Sequence, residues 1–189
     1  MKVFFHFSVT GFSNTYVVGP DNSGDALIVD PGNFNAELLT LIESNGYYPR
    51  GILLTHGHRS HVQGLKTILK IYDAEIFYNS AEVIGRQATV FRGGETKAIY
   101  GFDVTAYDVP GHSPDSLVYQ IGDMLFTGDT LFAGSIGSSA NSYASALLAE
   151  SLRNTLFPLP DRTLIFPGHG PPSTIGAEKK TNYALLNAL

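Results

Sequence analysis

The chain has 189 residues, a formal charge of −5 and a pI of about 5.6, with 43% hydrophobic and 15% charged residues. That length and composition suit one globular domain with a sizeable core, since single cores stop growing at roughly 250–300 residues. No Lys/Arg block suggests a nucleic-acid partner, and the lack of cysteine excludes disulfides, thiolate metal ligands and a cysteine nucleophile.

In chain order, "KVFFHFSV" and "NTYVVG" are rich in β-branched and aromatic residues and read as strands joined by a Gly-containing turn. "DALIVDPG" reads as a buried strand stopped by Asp-Pro-Gly. "NAELLTLIESNG" has apolar residues at Leu38, Leu39, Leu41 and Ile42 and a stop at Gly46, which predicts a helix. "GILLT" predicts a short strand over Gly51–Thr55. "SHVQGLKTILKIY" carries Val62, Leu65, Ile68, Leu69 and Tyr72 at helical spacing, and "AEIFYN" predicts another strand. "RQATVFRGGETKAIYGF" reads as a loop whose Arg86, Arg92 and Lys97 either meet an anionic substrate or are solvated surface charges.

The second half repeats this style. "GFDVTAYDVPG" predicts a strand ending at Pro110-Gly111, and "SLVYQIGDMLFTGD" a hairpin turning at Gly122-Asp123. "SYASALLAESLRNTLF" predicts a helix, "RTLIFPG" a last strand, and Ala177–Leu189 a short closing helix. Both halves run as a meander of strands, then helix and strand, which suggests packed sheets with helices outside in a single domain, 1–189. The opening "MKVFFHFSVTGF" is interrupted at His6, Ser8 and Thr10, so it does not read as a signal peptide. No run approaches the ~20 apolar residues of a bilayer span. The expectation is a cytoplasmic, soluble chain with no membrane partner.

Five of the six histidines follow apolar strands. His56 and His58 lie just past "GILLT", His61 begins the next predicted helix, His112 follows "YDVPG" and His169 follows "LIFPG"; Asp129 follows "MLFTG". Loops at strand ends are where a rigid scaffold aims functional groups at one point. Imidazole suits zinc and iron, and carboxylate adds negative charge, so this set offers enough ligands for two neighbouring ions. A lone histidine such as His6 is instead a surface or core residue. Asp30 either hydrogen-bonds the site loops or caps the turn before Pro31.

The motifs "THGHRSH", "VPGHSPDS", "LFTGDTLFAGSIG" and "FPGHGPPSTIGAEK" together resemble the metallo-β-lactamase superfamily, and most of all its small glyoxalase-II-like (hydroxyacylglutathione hydrolase-like) branch. The resemblance implies an α/β fold of the four-layer αββα sandwich type. It implies that His56, His58 and His112 ligate a first metal, that His61 and His169 serve a second, and that Asp129 bridges the two. It also implies a hydrolase acting on a small-molecule thioester, ester or lactone. Metal-bound hydroxide would attack the carbonyl, with Asp129 and His112 in the catalytic roles; zinc can bring the pKa of bound water from 15.7 to about 7.

The chain departs from the family pattern at Ser60, where the motif Thr-His-x-His-x-Asp-His places a ligating aspartate. A neutral hydroxyl removes a negative charge beside the second metal, next to a predicted helix N-terminus that itself disfavours a cation. The expectation is one tight zinc site and a weakened second, with iron or manganese also accommodated; Asp115 is a candidate substitute carboxylate or a plain surface residue. After "GSIG" the chain reads "SSANSYAS" where the branch continues with arginine and an acidic residue. A glyoxalase II carries a C-terminal helical domain that helps hold glutathione; with about twenty residues after His169 here, the expectation is that this domain is absent. Two further readings stay open: a non-catalytic metal- or ligand-binding member, and a mononuclear iron enzyme resembling the persulfide dioxygenases.

Overall fold

The computed structural model describes residues 1–186, and the chain divides into two compact units. The first comprises Met1–Phe91 with Ala98–Phe102, and the second Arg92–Lys97 with Asp103 onward. Each is built on a six-stranded sheet, in the mixed α/β class expected from the sequence.

The first unit runs β1 (Lys2–Phe7), β2 (Asn14–Gly19), β3 (Gly24–Val29), α1 (Ala36–Ser44), β4 (Tyr47–Leu53), α2 (Arg59–Val62), α3 (Leu65–Ile71), β5 (Glu75–Tyr78), β6 (Glu82–Val83), β7 (Arg86–Gln87) and β8 (Thr89–Val90). The sheet order is β1-β2-β3-β4-β5-β8. The first two pairings are antiparallel, and β3 onward pair in parallel. Parallel neighbours need crossovers; α1 supplies one between β3 and β4, and α2 with α3 supplies the next. The parallel register sets Val29 beside Leu53, so the residues after β3 and β4 leave the sheet side by side. Ala26, Ile28 and Ile52 pack with Leu38, Ile42, Leu65 and Ile68 of the helices. Asn35 caps α1, its side chain accepting from the Leu38 amide at 3.0 Å.

The second unit runs β9 (Thr96–Ile99, its last two residues counted with the first unit), β10 (Phe102–Asp108), β11 (Leu117–Ile121), β12 (Met124–Gly128), β13 (Leu131–Phe132), β14 (Ser135–Ile136), α4 (Ser142–Thr155), β15 (Leu164–Pro167), β16 (Ser173–Thr174), α5 (Ile175–Thr181) and α6 (Tyr183–Leu186). The sheet order is β16-β15-β12-β11-β10-β9. β10 and β12 are both antiparallel to β11, and β15 is parallel to β12. The C-terminal ends of β10, β12 and β15 therefore share one edge, and the register pairs Gly128 with Pro167. The core joins Val118, Leu125 and Ile165 of the sheet to Leu148 and Leu152 along α4, its C-cap Leu156 and Ile175 of α5.

Several elements differ from the sequence-based expectation, each for a local reason. β4 starts at Tyr47, not Gly51, and carries Pro49 within it. A register irregularity at Ala26/Leu27, opposite that proline, accommodates the missing amide donor. The helix expected from Ser60 to Tyr72 is two pieces. At the break, the Gly64 amide donates to the Pro31 carbonyl at 2.9 Å, and a Cβ there would sit 2.5 Å from that oxygen. The segment 86–102 is not a loop but holds β7, β8 and β9. The closing helix begins at Ile175, capped by the Thr174 hydroxyl, and breaks at Asn182, whose side chain donates to the Ser135 carbonyl at 3.0 Å. Its expected last residues, 187–189, lie outside the described residues. Among the described residues, no helix is long and apolar enough to cross a membrane.

Candidate functional site

In the first unit, Asp30 follows β3 and His56 follows β4 by three residues, at the edge set by the Val29–Leu53 register. Asp30 adopts a left-handed conformation with φ of 50°, which aspartate tolerates better than most residues. Its carbonyl accepts from the Thr15 hydroxyl at 2.7 Å. Its carboxylate, 2% exposed, turns toward the neighbouring loop. Oδ1 accepts from the Thr55 amide at 2.8 Å, and Oδ2 accepts from the Thr55 hydroxyl at 2.6 Å and meets His61 Nδ1 at 3.0 Å. Of the two roles open for Asp30 in the sequence, the structure places it as a hydrogen-bond anchor of the histidine loop.

These contacts fix the imidazole tautomers. A carboxylate only accepts, so His61 Nδ1 carries the proton and its Nε2 carries the lone pair. Thr55 gives its one hydroxyl proton to Asp30, so the 3.0 Å contact between Thr55 Oγ1 and His56 Nδ1 is donated by the imidazole. His56 likewise presents Nε2 as its lone-pair nitrogen. Asp30, His56 and His61 each offer an atom within 4.8 Å of the others. The His56 ring centroid lies 4.3 Å from that of His61 and 4.6 Å from that of the exposed His58. Asp30→Ala would orphan the Thr55 amide and the His61 Nδ1–H inside the protein, each costing about 1–3 kcal/mol. We expect a lower denaturation midpoint for the metal-free variant, and metal affinity weaker by about 10- to 100-fold in chelator competition.

Ser60 is half-buried inside α2, and its carbonyl accepts from the Ser13 hydroxyl at 2.7 Å. A Cβ on Gly32 would fall 1.9 Å from that same carbonyl, so glycine is required where the "DPG" turn passes under the histidine loop. α2 spans only four residues, too short to place a helix N-terminal partial charge of consequence at Ser60. The difference at residue 60 is then the missing carboxylate charge alone.

In the second unit, His112 follows β10, Asp129 follows β12 and His169 follows β15, all at the shared strand edge. Asp129 is 8% exposed and uses its two oxygens separately. Oδ1 lies 2.7 Å from His169 Nδ1, and Oδ2 lies 3.8 Å from His112 Nε2. The Ser138 carbonyl accepts from His112 Nδ1 at 2.7 Å, which leaves Nε2 as the lone-pair nitrogen turned toward Asp129. The β13–β14 turn brings Gly137 against this centre, and a Cβ there would fall 1.7 Å from the Asp129 carbonyl and 3.3 Å from His112 Nδ1. Glu178, 1% exposed, braces that turn from α5. It accepts from the Gly134 amide at 2.9 Å, from Asn182 at 2.7 Å and from the Ser173 hydroxyl.

The sequence singled out the histidines and Asp129, but not Thr55, Gly137, Glu178 or the Ser138 carbonyl. Thr55 was legible in principle as the residue before His56; a backbone acceptor such as Ser138 has no side-chain signal. Asp115 and His6 join no ligand cluster among the described residues, and His6 lies buried in β1. Burial lowers the His6 pKa, partly offset by Glu37. Lys97 pairs with Glu95 at 3.2 Å, while Arg86 and Arg92 are exposed. The donor set suits a divalent cation: neutral imidazoles anchored through Nδ1 and a carboxylate with separated oxygens.

A family model described as the metallo-beta-lactamase superfamily matches residues 9–88 and 81–169. The hydroxyacylglutathione hydrolase of Klebsiella pneumoniae subsp. pneumoniae is 34% identical over 164 residues, covering 86% of this chain and 64% of that protein. The hydroxyacylglutathione hydrolase of Citrobacter koseri is 35% identical over 164 residues, with the same coverage of 86% and 64%. The chain thus spans under two thirds of the length of either relative. Among solved structures, the BLEG-1 B3 metallo-β-lactamase superposes with a TM-score of 0.84 at 28% identity, covering 97% of this chain and 99% of that one. TTHA1623 in a di-iron-bound form gives 0.78 at 28% identity, covering 95% and 98%. ETHE1 from Myxococcus xanthus gives 0.85 at 25% identity, covering 97% and 84%. Strand-end histidines, the aspartate between them and matches along nearly the whole chain lead to one assignment: this chain belongs to the metallo-β-lactamase superfamily and has its fold.

Proposed function

We propose that this chain is a metal-dependent hydrolase of small thioesters, esters or lactones, its two units working as one domain. The observation that carries this reading is the anchoring of His56, His61 and His112 through Nδ1, which leaves each Nε2 as a metal-ligand nitrogen. In this reading His56, His58, His112 and Asp129 hold the first metal, and Asp129, His61 and His169 hold a second. The separate use of the two Asp129 oxygens supports a bridging role for that carboxylate. Ser60 leaves the second position one negative charge short of the family pattern, so it binds more weakly. Zinc is the expected ion, and the di-iron form of a relative makes iron the second to test.

The bound cation would supply Lewis acidity and a water acidified to near neutrality. The protein's own residues do the rest. Asp30 and Thr55 keep His56 and His61 in one tautomer. The Ser138 carbonyl keeps His112 aimed at Asp129. Asp129, held by His169 at one oxygen, would position a metal-bound water against the substrate carbonyl.

The test is a panel of thioesters, esters and lactones, with a β-lactam included, assayed after chelation and after return of zinc, iron or manganese. Hydrolysis that vanishes on chelation and returns with metal supports the proposal. A metal-loaded protein inert across the panel but binding a small ligand would move it to the non-catalytic reading.

A further inference from the structure

A cavity of about 290 Å³ opens beside His112, wholly within the second unit. One wall is the loop from Pro110 to Pro114, and the other is one face of α4 and the residues before it: Ala140, Tyr143, Ala144 and Leu147. Within α4, Leu147 lies four residues beyond Tyr143 and three beyond Ala144, the spacing of one helical stripe, and Ala140 adjoins it from the segment before the helix. This stripe is not the face that builds the core, which uses Leu148, Ala149 and Leu152. The Pro110–Pro114 loop packs closely on α4 where the two meet. A Cβ on Gly111, whose φ is +132°, would lie 2.6 Å from the Ala144 carbonyl and 2.5 Å from Leu148 Cβ.

Among the described residues lining this cavity there is no lysine, arginine, aspartate or glutamate; His112 and Tyr143 are its only titratable side chains. Tyr143 is 78% exposed and forms an aromatic rim. The volume lies at the small end of the roughly 300–1,000 Å³ of ligand pockets. A glutathione group, with its carboxylates and ammonium, would find no opposite charge on these walls. A short alkyl chain would find hydrophobic contact and lose nothing by desolvation.

We propose that this cavity is the acyl-chain pocket of the enzyme and selects a short, uncharged, apolar acyl group on the substrate carbonyl. The assignment rests on the hydrolase reading above for its chemistry, and on the cavity alone for its binding. Burying each methylene raises kcat/KM about three- to fourfold until the pocket is full.

Two measurements test it. The first is the hydrolysis of N-acetylcysteamine thioesters from acetyl to decanoyl by the metal-loaded protein. We expect kcat/KM to climb to about hexanoyl and then level, with hexanoyl preferred over lactoylglutathione. The second is calorimetric titration with the non-hydrolysable hexanoyl thioether, whose Kd should weaken at least tenfold in Ala144→Phe, which fills the pocket. Ala140→Leu changes an exposed residue and provides a second variant, should Ala144→Phe fail to fold. Thioether binding that these variants weaken, without hydrolysis of any ester, would sustain the pocket and refute the hydrolase reading. Hydrolysis with no dependence on chain length and no effect of either variant would overturn the pocket and leave the hydrolase standing.

Discussion

Replacing Asp129 with alanine is expected to lower kcat/KM at least 100-fold and to release the tightly held metal on dialysis. Two contacts set this expectation. Asp129 faces His169 with one oxygen and His112 with the other, so a single substitution removes the one carboxylate common to both proposed metal positions. Loss of a residue that merely orients a ligand already costs about 10- to 100-fold in metal affinity, and Asp129 is proposed as a ligand itself. Asp129→Asn sharpens the comparison: it keeps the shape and one oxygen but removes the charge, and it should fall between wild type and alanine. The packing of Gly137 is against the Asp129 backbone carbonyl, which neither substitution alters, so the fold should survive. Kinetics on the best substrate of the ester panel, with elemental analysis of the same samples, makes the check. Activity within tenfold of wild type in Asp129→Ala would contradict the mechanism.

Restoring a carboxylate at residue 60 is the second large effect. Ser60→Asp should tighten the second metal by about 10- to 100-fold. At an effective dielectric of 20, unit charges about 4 Å apart interact by about 4 kcal/mol, and a divalent ion by more. Desolvating the new carboxylate and holding its rotamer offset part of that gain. Ser60 is half-buried, and glycine at residue 11 keeps the facing β1–β2 turn clear of it, since a Cβ there would lie 3.0 Å from the Ser60 Cβ. Metal titration of the variant beside wild type measures the shift. Identical second-site affinity in the two proteins would mean that residue 60 does not face that metal.

The strands and the candidate ligands were legible in the sequence for a shared reason. β3, β4, β12 and β15 are short apolar runs, each ended by a small residue or a breaker, and the residues after them carry the chemistry. Parallel pairing then sets those ends side by side, which the alternation of strand and helix already suggests. Less legible were features that depend on distant backbone. Gly64 breaks a helix because the Pro31 carbonyl approaches it, and periodicity records only the apolar stripe on either side. β4 runs through Pro49 because an irregularity lies opposite, where sequence reasoning starts the strand after the proline. The segment 86–102 is rich in glycine and charge and reads as a loop, yet its short strands pair at a sheet edge and in a small hairpin. Asp30 was ambiguous because both of its roles need an aspartate before Pro31; only the approach of Thr55 and His61 decides between them.

With Ser60 in place of a charged ligand, we expect one metal to bind tightly and a second weakly. The most direct measurement is elemental analysis of the purified protein after exhaustive dialysis. We expect about one zinc or iron per chain, rising toward two only with excess metal. Two metals per chain retained through dialysis would contradict it.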